Sequence, residues 1–166
     1  MAGSLSIWNR KRDLIYFVFF AIHAPLSLVD TFPLLPSFLQ ADIFAQLRQF
    51  YVSTYNDKFF QETPPPWFSA FICMELLYHL PLSIWATGGL LRDNPMVPVH
   101  LLVFGVQAFI TTVTCLVEVW SWTDRTDAEK QNITMLYGPY AALGGLMALD
   151  MIGRLRGRLV QKSKHE

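Results

Sequence analysis

The sequence predicts an all-α protein: a four-helix transmembrane bundle with short lumenal helices in its first loop. Three observations lead there. Hydrophobic residues make up 52% of the 166-residue chain and charged residues 16%, against about 25% charged in an ordinary soluble domain. Four stretches, 14–31, 67–91, 97–120 and 133–155, come close to the roughly 20 mostly apolar residues that cross a hydrocarbon core. Lysine and arginine collect at one side of those four spans, as orientation in a membrane requires. The mean hydropathy of +0.30 agrees.

The first span follows Arg10, Lys11 and Arg12, which resemble the opening of a signal peptide. His23, Pro25 and Asp30 interrupt the run and no clear small-residue cleavage site follows, so it reads as a retained span. Residues 32–66 form a long first loop with Pro33, Pro36 and an amphipathic stretch of Ile43, Phe44, Leu47, Phe50 and Tyr51. The stop Pro64-Pro65-Pro66 closes it. This composition predicts short helices over one mouth of the bundle. Residues 92–95 are a tight turn, and the polar residues 123–132 are a solvated loop. The domain plan is therefore a cytosolic segment 1–13, a four-span domain 14–155 and a basic tail 156–166.

Arg92 and the tail residues Arg154, Arg156, Arg158, Lys162 and Lys164 fall on the same side as the N-terminal cluster, which places both termini in the cytosol. Trp8, Trp67, Trp120 and Trp122 sit near span ends, where interfacial anchors belong. Lys162 and Lys164, third and fifth from the end, have the spacing of a dilysine retrieval signal for the endoplasmic reticulum membrane; a generic basic tail has the same composition. Asn132-Ile133-Thr134 is a glycosylation sequon that abuts the fourth span.

Thirteen basic and thirteen acidic residues cancel, so a nucleic-acid partner is not expected. Cys73 and Cys115 lie inside apolar runs and read as small buried residues. There is no CxxC, no His/Cys cluster at zinc spacing and no Gly-rich phosphate loop, so neither metal nor cofactor is expected.

Ionisable residues within spans are the informative ones, because a charge at the bilayer centre costs roughly 2.5–3.5 kcal/mol on insertion scales and normally faces a cavity or a partner. His23 and Asp30 lie on the first span, Glu75 and His79 on the second. Glu75 and His79 are one turn apart and share a face. Glu75 is read either as a pocket carboxylate or as a structural hydrogen bond between helices; Asp30, at a span end, as solvated or as facing the cavity. Pro25 and Pro81, each two residues after a histidine, free a carbonyl and kink the helix beside a polar residue, which commonly lines a cavity. On the third span Gln107, Thr111, Thr112, Thr114 and Glu118 either line a cavity or join helices. The fourth span opens with Tyr137-Gly138-Pro139-Tyr140; Gly138, Ala142 and Gly145 permit close helix approach, and Asp150 and Arg154 read as an ion pair.

Three blocks carry a resemblance: FFAIHAPLSLVD in the first span, NDKFFQETPPPWFSAFICMELLYHLPLSIW at 56–85, and YGPY at 137–140. They resemble the sigma-2-receptor branch of the EXPERA family, which also holds the emopamil-binding sterol isomerase. The resemblance implies a protein of the endoplasmic reticulum that binds sterols, oxysterols and cationic amphiphilic small molecules, takes part in sterol homeostasis and forms a homodimer among membrane lipids. By position, Asp30 and Glu75 resemble the two acids of the pocket. His23, Thr112 and Tyr140 resemble lining residues. His79, Tyr137, Phe71 and Leu76 complete the expected ligand-binding set, with Asp57, Pro25 and Pro81 as structural positions. The isomerase pairs a first-span histidine with a glutamate one turn later. Here His23 and Cys73-Met74-Glu75 match, but Ser27 holds the glutamate position, and a serine cannot carry that proton at neutral pH. Binding without catalysis is therefore the first reading. A sterol double-bond isomerase and a structural partner or chaperone of sterol transporters are the alternatives.

Overall fold

A computed structural model describes residues 6–36 and 40–163, with side chains up to Val160. Among the described residues there is no strand, and four helices are long and apolar enough to cross a membrane. The all-α expectation holds. Two compact units divide the chain, Met1–Asp93 and Asn94–Glu166.

The first unit is built on α1 (Lys11–Asp30) and the pair α4 (Pro66–Met74) and α5 (Leu80–Leu91), which a π-helical turn, Glu75–His79, joins into one span. The 20 residues of α1 reach about 30 Å at 1.5 Å per residue, the thickness of a bilayer core. Arg10 fixes its start. The guanidinium pairs with the buried Asp13 at 2.5 Å, bonds the Leu90 carbonyl at 2.7 Å and reaches Asp93 at 3.2 Å. It thereby caps the C-terminal end of α5, where the orphan carbonyls carry negative partial charge.

The far end of α1 is closed by Thr31, whose hydroxyl bonds the Ser27 carbonyl at 2.6 Å, and by Arg48, which donates to the carbonyls of Asp30 at 3.2 Å and Val29 at 3.4 Å. Arg48 belongs to α2 (Asp42–Tyr55), so the amphipathic stretch of the first loop is a helix tied to the end of the first span. Its Ile43, Leu47 and Phe50 stay exposed. Asn56 ends α2 in the left-handed conformation, φ 53°. Asp57 then caps α3 (Lys58–Gln61): one carboxylate oxygen accepts from Phe59 N at 2.9 Å and the other from Tyr51 OH at 2.7 Å. The fully buried Asp57 is thus satisfied on both oxygens, as a buried carboxylate must be. Phe59 stacks on Phe68 with ring centroids 4.3 Å apart and meets the edge of Trp67 at 5.5 Å. This aromatic clasp joins the loop to the start of α4, where Pro66 occupies a position whose N–H has no intrahelical partner.

The second unit is α6 (Val97–Ser121) packed along α7 (Asp127–Ser163). Gly105 and Gly144 set their separation. A Cβ on Gly105 would lie 2.7 Å from the Gly144 carbonyl, and one on Gly144 would lie 3.1 Å from the Gly105 carbonyl. Of the positions expected to permit close approach, Gly138 has nothing within 4 Å, whereas a Cβ on Gly145 would lie 3.3 Å from the Phe109 ring; the backbones touch at Gly144, six residues past Gly138. The fourth helix starts six residues before the expected span, because Thr126 and Glu129 form a capping box: Thr126 N bonds Glu129 Oε2 at 2.8 Å and Glu129 N bonds Thr126 Oγ1 at 3.3 Å. The expected pair Asp150–Arg154 forms at 2.8 Å. Trp122, expected at an interface, is buried, and Cys73, expected to be buried, is exposed. Lys162 lies on the last described turn of α7, and Lys164 lies outside the described residues.

Candidate functional site

The site begins with a defect in a helix. Pro81 has no N–H for the Leu77 carbonyl, and its ring crowds that carbonyl. The chain responds by widening the preceding turn: Leu80 N–H bonds back five residues to the Glu75 carbonyl instead of four. Such π turns are rare and concentrate at functional sites. Here the wide turn holds both Glu75 and His79, and Glu75 Oε2 lies 2.7 Å from His79 Nδ1.

Opposite this turn, α1 presents His23 and Ser27, also one turn apart, on either side of Pro25. Ser27 Oγ reaches Glu75 Oε1 at 2.5 Å, a short hydrogen bond of the charge-assisted kind. His23 Nε2 stands 3.3 Å from the same oxygen. The other nitrogen of His23, Nδ1, lies 3.0 Å from Ser83 Oγ and 3.2 Å from Ser27 Oγ. Ser83 donates to the His79 carbonyl at 2.6 Å and Ser27 is 3.0 Å from the His23 carbonyl. One carboxylate, two imidazoles and two hydroxyls are therefore connected within the first unit. His79 is 2% exposed and His23 8%.

The tautomer of His23 follows from this network. Ser83 has one hydrogen, and at 2.6 Å it is committed to the His79 carbonyl. Its oxygen can then only accept, so His23 Nδ1 carries the hydrogen and Nε2 is directed at Glu75. Desolvated and fixed in this way, the group can neutralise a cation, exchange a proton with a bound molecule or hold an ion.

Of the residues singled out in the sequence, His23, Glu75 and His79 come together. Asp30 stands beyond them at the end of α1, where its carboxylate and Arg48 interact electrostatically. Burial lowers the pKa of the Arg48 guanidinium, and the negative charge of Asp30 opposes that shift. Phe71 and Leu76 are half-buried on the same span as Glu75, Phe71 meeting Trp67 at 5.4 Å. Asp57 is the cap of α3, and Pro25 and Pro81 are exposed on the outer faces of their helices. Thr112, Tyr137 and Tyr140 belong to the second unit; Thr112 is buried with its hydroxyl on the Ala108 carbonyl at 2.6 Å, and the two tyrosines are half-buried. Ser27 and Ser83 were not expected as members of the network. Their signal is a repeat: His-x-Pro-Leu-Ser occurs at 23–27 and again at 79–83.

The fold and this buried polar cluster define an α-helical multi-pass membrane protein with an ionisable site inside its apolar helices. A profile of the EXPERA (EXPanded EBP superfamily) domain matches residues 43–151, and the chain belongs to that family. It is similar to Efficient mitochondria targeting-associated protein 19 of Schizosaccharomyces pombe, 33% identical over 147 residues that cover 86% of this chain and 76% of the relative. It is also similar to Sigma intracellular receptor 2 of Xenopus tropicalis, 23% identical over 172 residues that cover 98% of this chain and 100% of the relative. The human Sigma intracellular receptor 2 is 24% identical over 149 residues, 81% of this chain and 84% of the relative.

Proposed function

We propose that this protein is an intracellular membrane receptor for sterols or oxysterols and for cationic amphiphilic molecules, and that it acts in sterol homeostasis without catalysing a reaction on them. The observation that carries the reading is the desolvated Glu75 carboxylate on the π turn, held by His79 and Ser27 among apolar side chains. A cationic head finds a counter-charge in the acids, and a sterol body finds apolar surface such as Phe71 and Leu76. The similarity to the two Sigma intracellular receptor 2 proteins supports it. The basic tail and the Lys162/Lys164 spacing support residence in the endoplasmic reticulum membrane with both termini in the cytosol and the first and third loops lumenal. The resemblance supports a homodimer.

The test is ligand capture by purified protein. A photoreactive oxysterol should label the wild type saturably and Glu75→Ala weakly, and no sterol double-bond isomer should form above a Glu75→Gln control. Isomer formation would favour the enzyme reading instead, despite Ser27. A second reading has its own support: the fission-yeast relative, more similar than the receptors at 33% identity, is named for efficient mitochondria targeting. In that reading the chain assists protein delivery to mitochondria. Loss of the protein would then slow import of a mitochondrial precursor, whether or not Glu75 is intact.

A further inference from the structure

His23, Glu75 and His79 also meet the requirements of a different kind of ligand. We propose that these three side chains form a binding site for a divalent first-row transition-metal ion, with zinc(II) as its probe. This goes beyond sterol or amphiphile binding and does not depend on it.

The three side chains each offer one ligand atom, and those atoms lie within 4.8 Å of one another. Ligands at about 2.0–2.2 Å from zinc stand about 3.4 Å apart in a tetrahedron. Glu75 already lies 2.7 Å from one imidazole and 3.3 Å from the other, so a bound ion needs only side-chain rotation to draw the set together. Two neutral imidazoles and a carboxylate suit zinc or iron(II) and leave a coordination position open.

The orientation of the His23 ring agrees. Ser83 engages His23 Nδ1 and leaves Nε2 directed at a carboxylate oxygen 3.3 Å away. A metal ion bound there would displace any proton that Nε2 carries. Ser83 is then the outer partner that fixes the tautomer of a metal-ligating histidine, the arrangement by which proteins orient such ligands. The charge balance is favourable as well: the carboxylate halves the charge of a divalent ion inside a poorly solvated helix pair. Sequence spacing shows only Glu75 and His79 together; His23 joins them through the packing of α1, which is why the chain lacks a metal motif in linear form.

The experiment uses the full-length protein in detergent micelles, stripped with a chelator and titrated with zinc chloride by calorimetry and with cobalt chloride by absorption. The expected result is about one zinc per chain and a cobalt spectrum of nitrogen and oxygen ligation without a thiolate charge-transfer band, unchanged by Cys73→Ser. His23→Gln and His79→Gln should each weaken zinc by at least roughly 100-fold, and Ser83→Ala, which keeps every ligand, by about 10-fold. Absence of binding tighter than millimolar, a thiolate band that Cys73→Ser removes, or wild-type affinity in His23→Gln would overturn the proposal. The wild-type cobalt spectrum decides even if a histidine variant does not fold. Oxysterol labelling of the stripped protein scores the sterol reading separately, so failure of one is not mistaken for failure of the other.

Discussion

The Nδ1 atom of His23 and the hydroxyl of Ser83 lie 3.0 Å apart, and each residue belongs to one copy of the same pattern, His-x-Pro-Leu-Ser. In both copies the serine hydroxyl lies within 3.0 Å of the carbonyl of the histidine four residues earlier. In both, the proline removes a backbone donor from the helix. The copies then interlock: His23 meets Ser83 across the helix pair, while Ser27 meets Glu75, which holds His79. α1 and the α4–α5 span are joined by polar bonds at a depth where apolar side chains alone give helices little reason to choose one register.

The first prediction follows from that interlock. Ser83→Ala removes the shorter of the two hydroxyl contacts of His23 Nδ1, 3.0 Å against 3.2 Å for Ser27, from a buried site, and the loss of such a bond costs about 0.5–1.5 kcal/mol. The thermal midpoint of the purified protein should fall for Ser83→Ala and stay unchanged for Ser69→Ala, whose side chain is exposed. Equal midpoints for the two variants would mean that the histidine–serine bond contributes nothing.

A second prediction separates two glycines of the second unit. Gly105→Ala puts a methyl 2.7 Å from the Gly144 carbonyl and 3.0 Å from the Ala148 nitrogen, both backbone atoms that cannot turn aside. The helices α6 and α7 must separate, and the variant should lose at least 1–3 kcal/mol, as overpacked sites do. Gly138→Ala meets nothing within 4 Å and should gain up to about 1 kcal/mol from helix propensity. Denaturation in mixed micelles measures both, and the opposite order would contradict the packing.

Much of this was legible in the sequence. The four spans came from apolar length, and the pairing of Glu75 with His79 came from a spacing of four. What was not legible depends on tertiary contact or on local backbone responses. A proline two residues past His79 signals a disturbed helix, but whether it yields a kink or a π turn depends on what Glu75 and His79 can bond to. Of Gly138, Ala142 and Gly145, Gly145 does approach α6, where a Cβ would lie 3.3 Å from the Phe109 ring, but the backbone-to-backbone contact forms at Gly144 against Gly105, because a small-residue stripe does not reveal which member faces a neighbour. The early start of α7 was readable: Thr126-Asp127-Ala128-Glu129 is a capping box in sequence, masked by the polarity of the residues around it.

The third prediction concerns Asp57. Its two oxygens hold Phe59 N and Tyr51 OH, so it sets both the start of α3 and the angle between α2 and α3. Asp57→Ala removes a helix cap, worth about 1 kcal/mol, and leaves a tyrosine hydroxyl without its acceptor. Tyr51→Phe removes one of these bonds and keeps the cap, so it should be milder. Limited proteolysis of the 42–61 region should show Asp57→Ala cut fastest and Tyr51→Phe intermediate. Equal rates for wild type and Asp57→Ala would sink the assignment.

The last prediction concerns Arg48 and Asp30. Arg48 donates to the Asp30 carbonyl at 3.2 Å, lies 4.8 Å from the centre of the Phe60 ring, and interacts electrostatically with the Asp30 carboxylate. An ammonium ligand that uses Asp30 as its counter-ion must therefore compete with a cation the protein already supplies. Arg48→Gln keeps a hydrogen-bond donor for the end of α1 and removes the charge. It should cost the fold no more than about 1 kcal/mol and tighten a cationic amphiphile by about tenfold, the equivalent of 1.4 kcal/mol. Asp30→Asn should weaken the same ligand strongly, and a neutral oxysterol should respond to neither change. The double variant decides the coupling: with no carboxylate to release, Arg48→Gln should gain nothing in an Asp30→Asn background. If Arg48→Gln weakens the cationic ligand, Arg48 is a clamp on α1 and not a competitor. If Asp30→Asn binds like the wild type while Glu75→Gln does not, the counter-ion is Glu75, and the ligand head sits among the histidines.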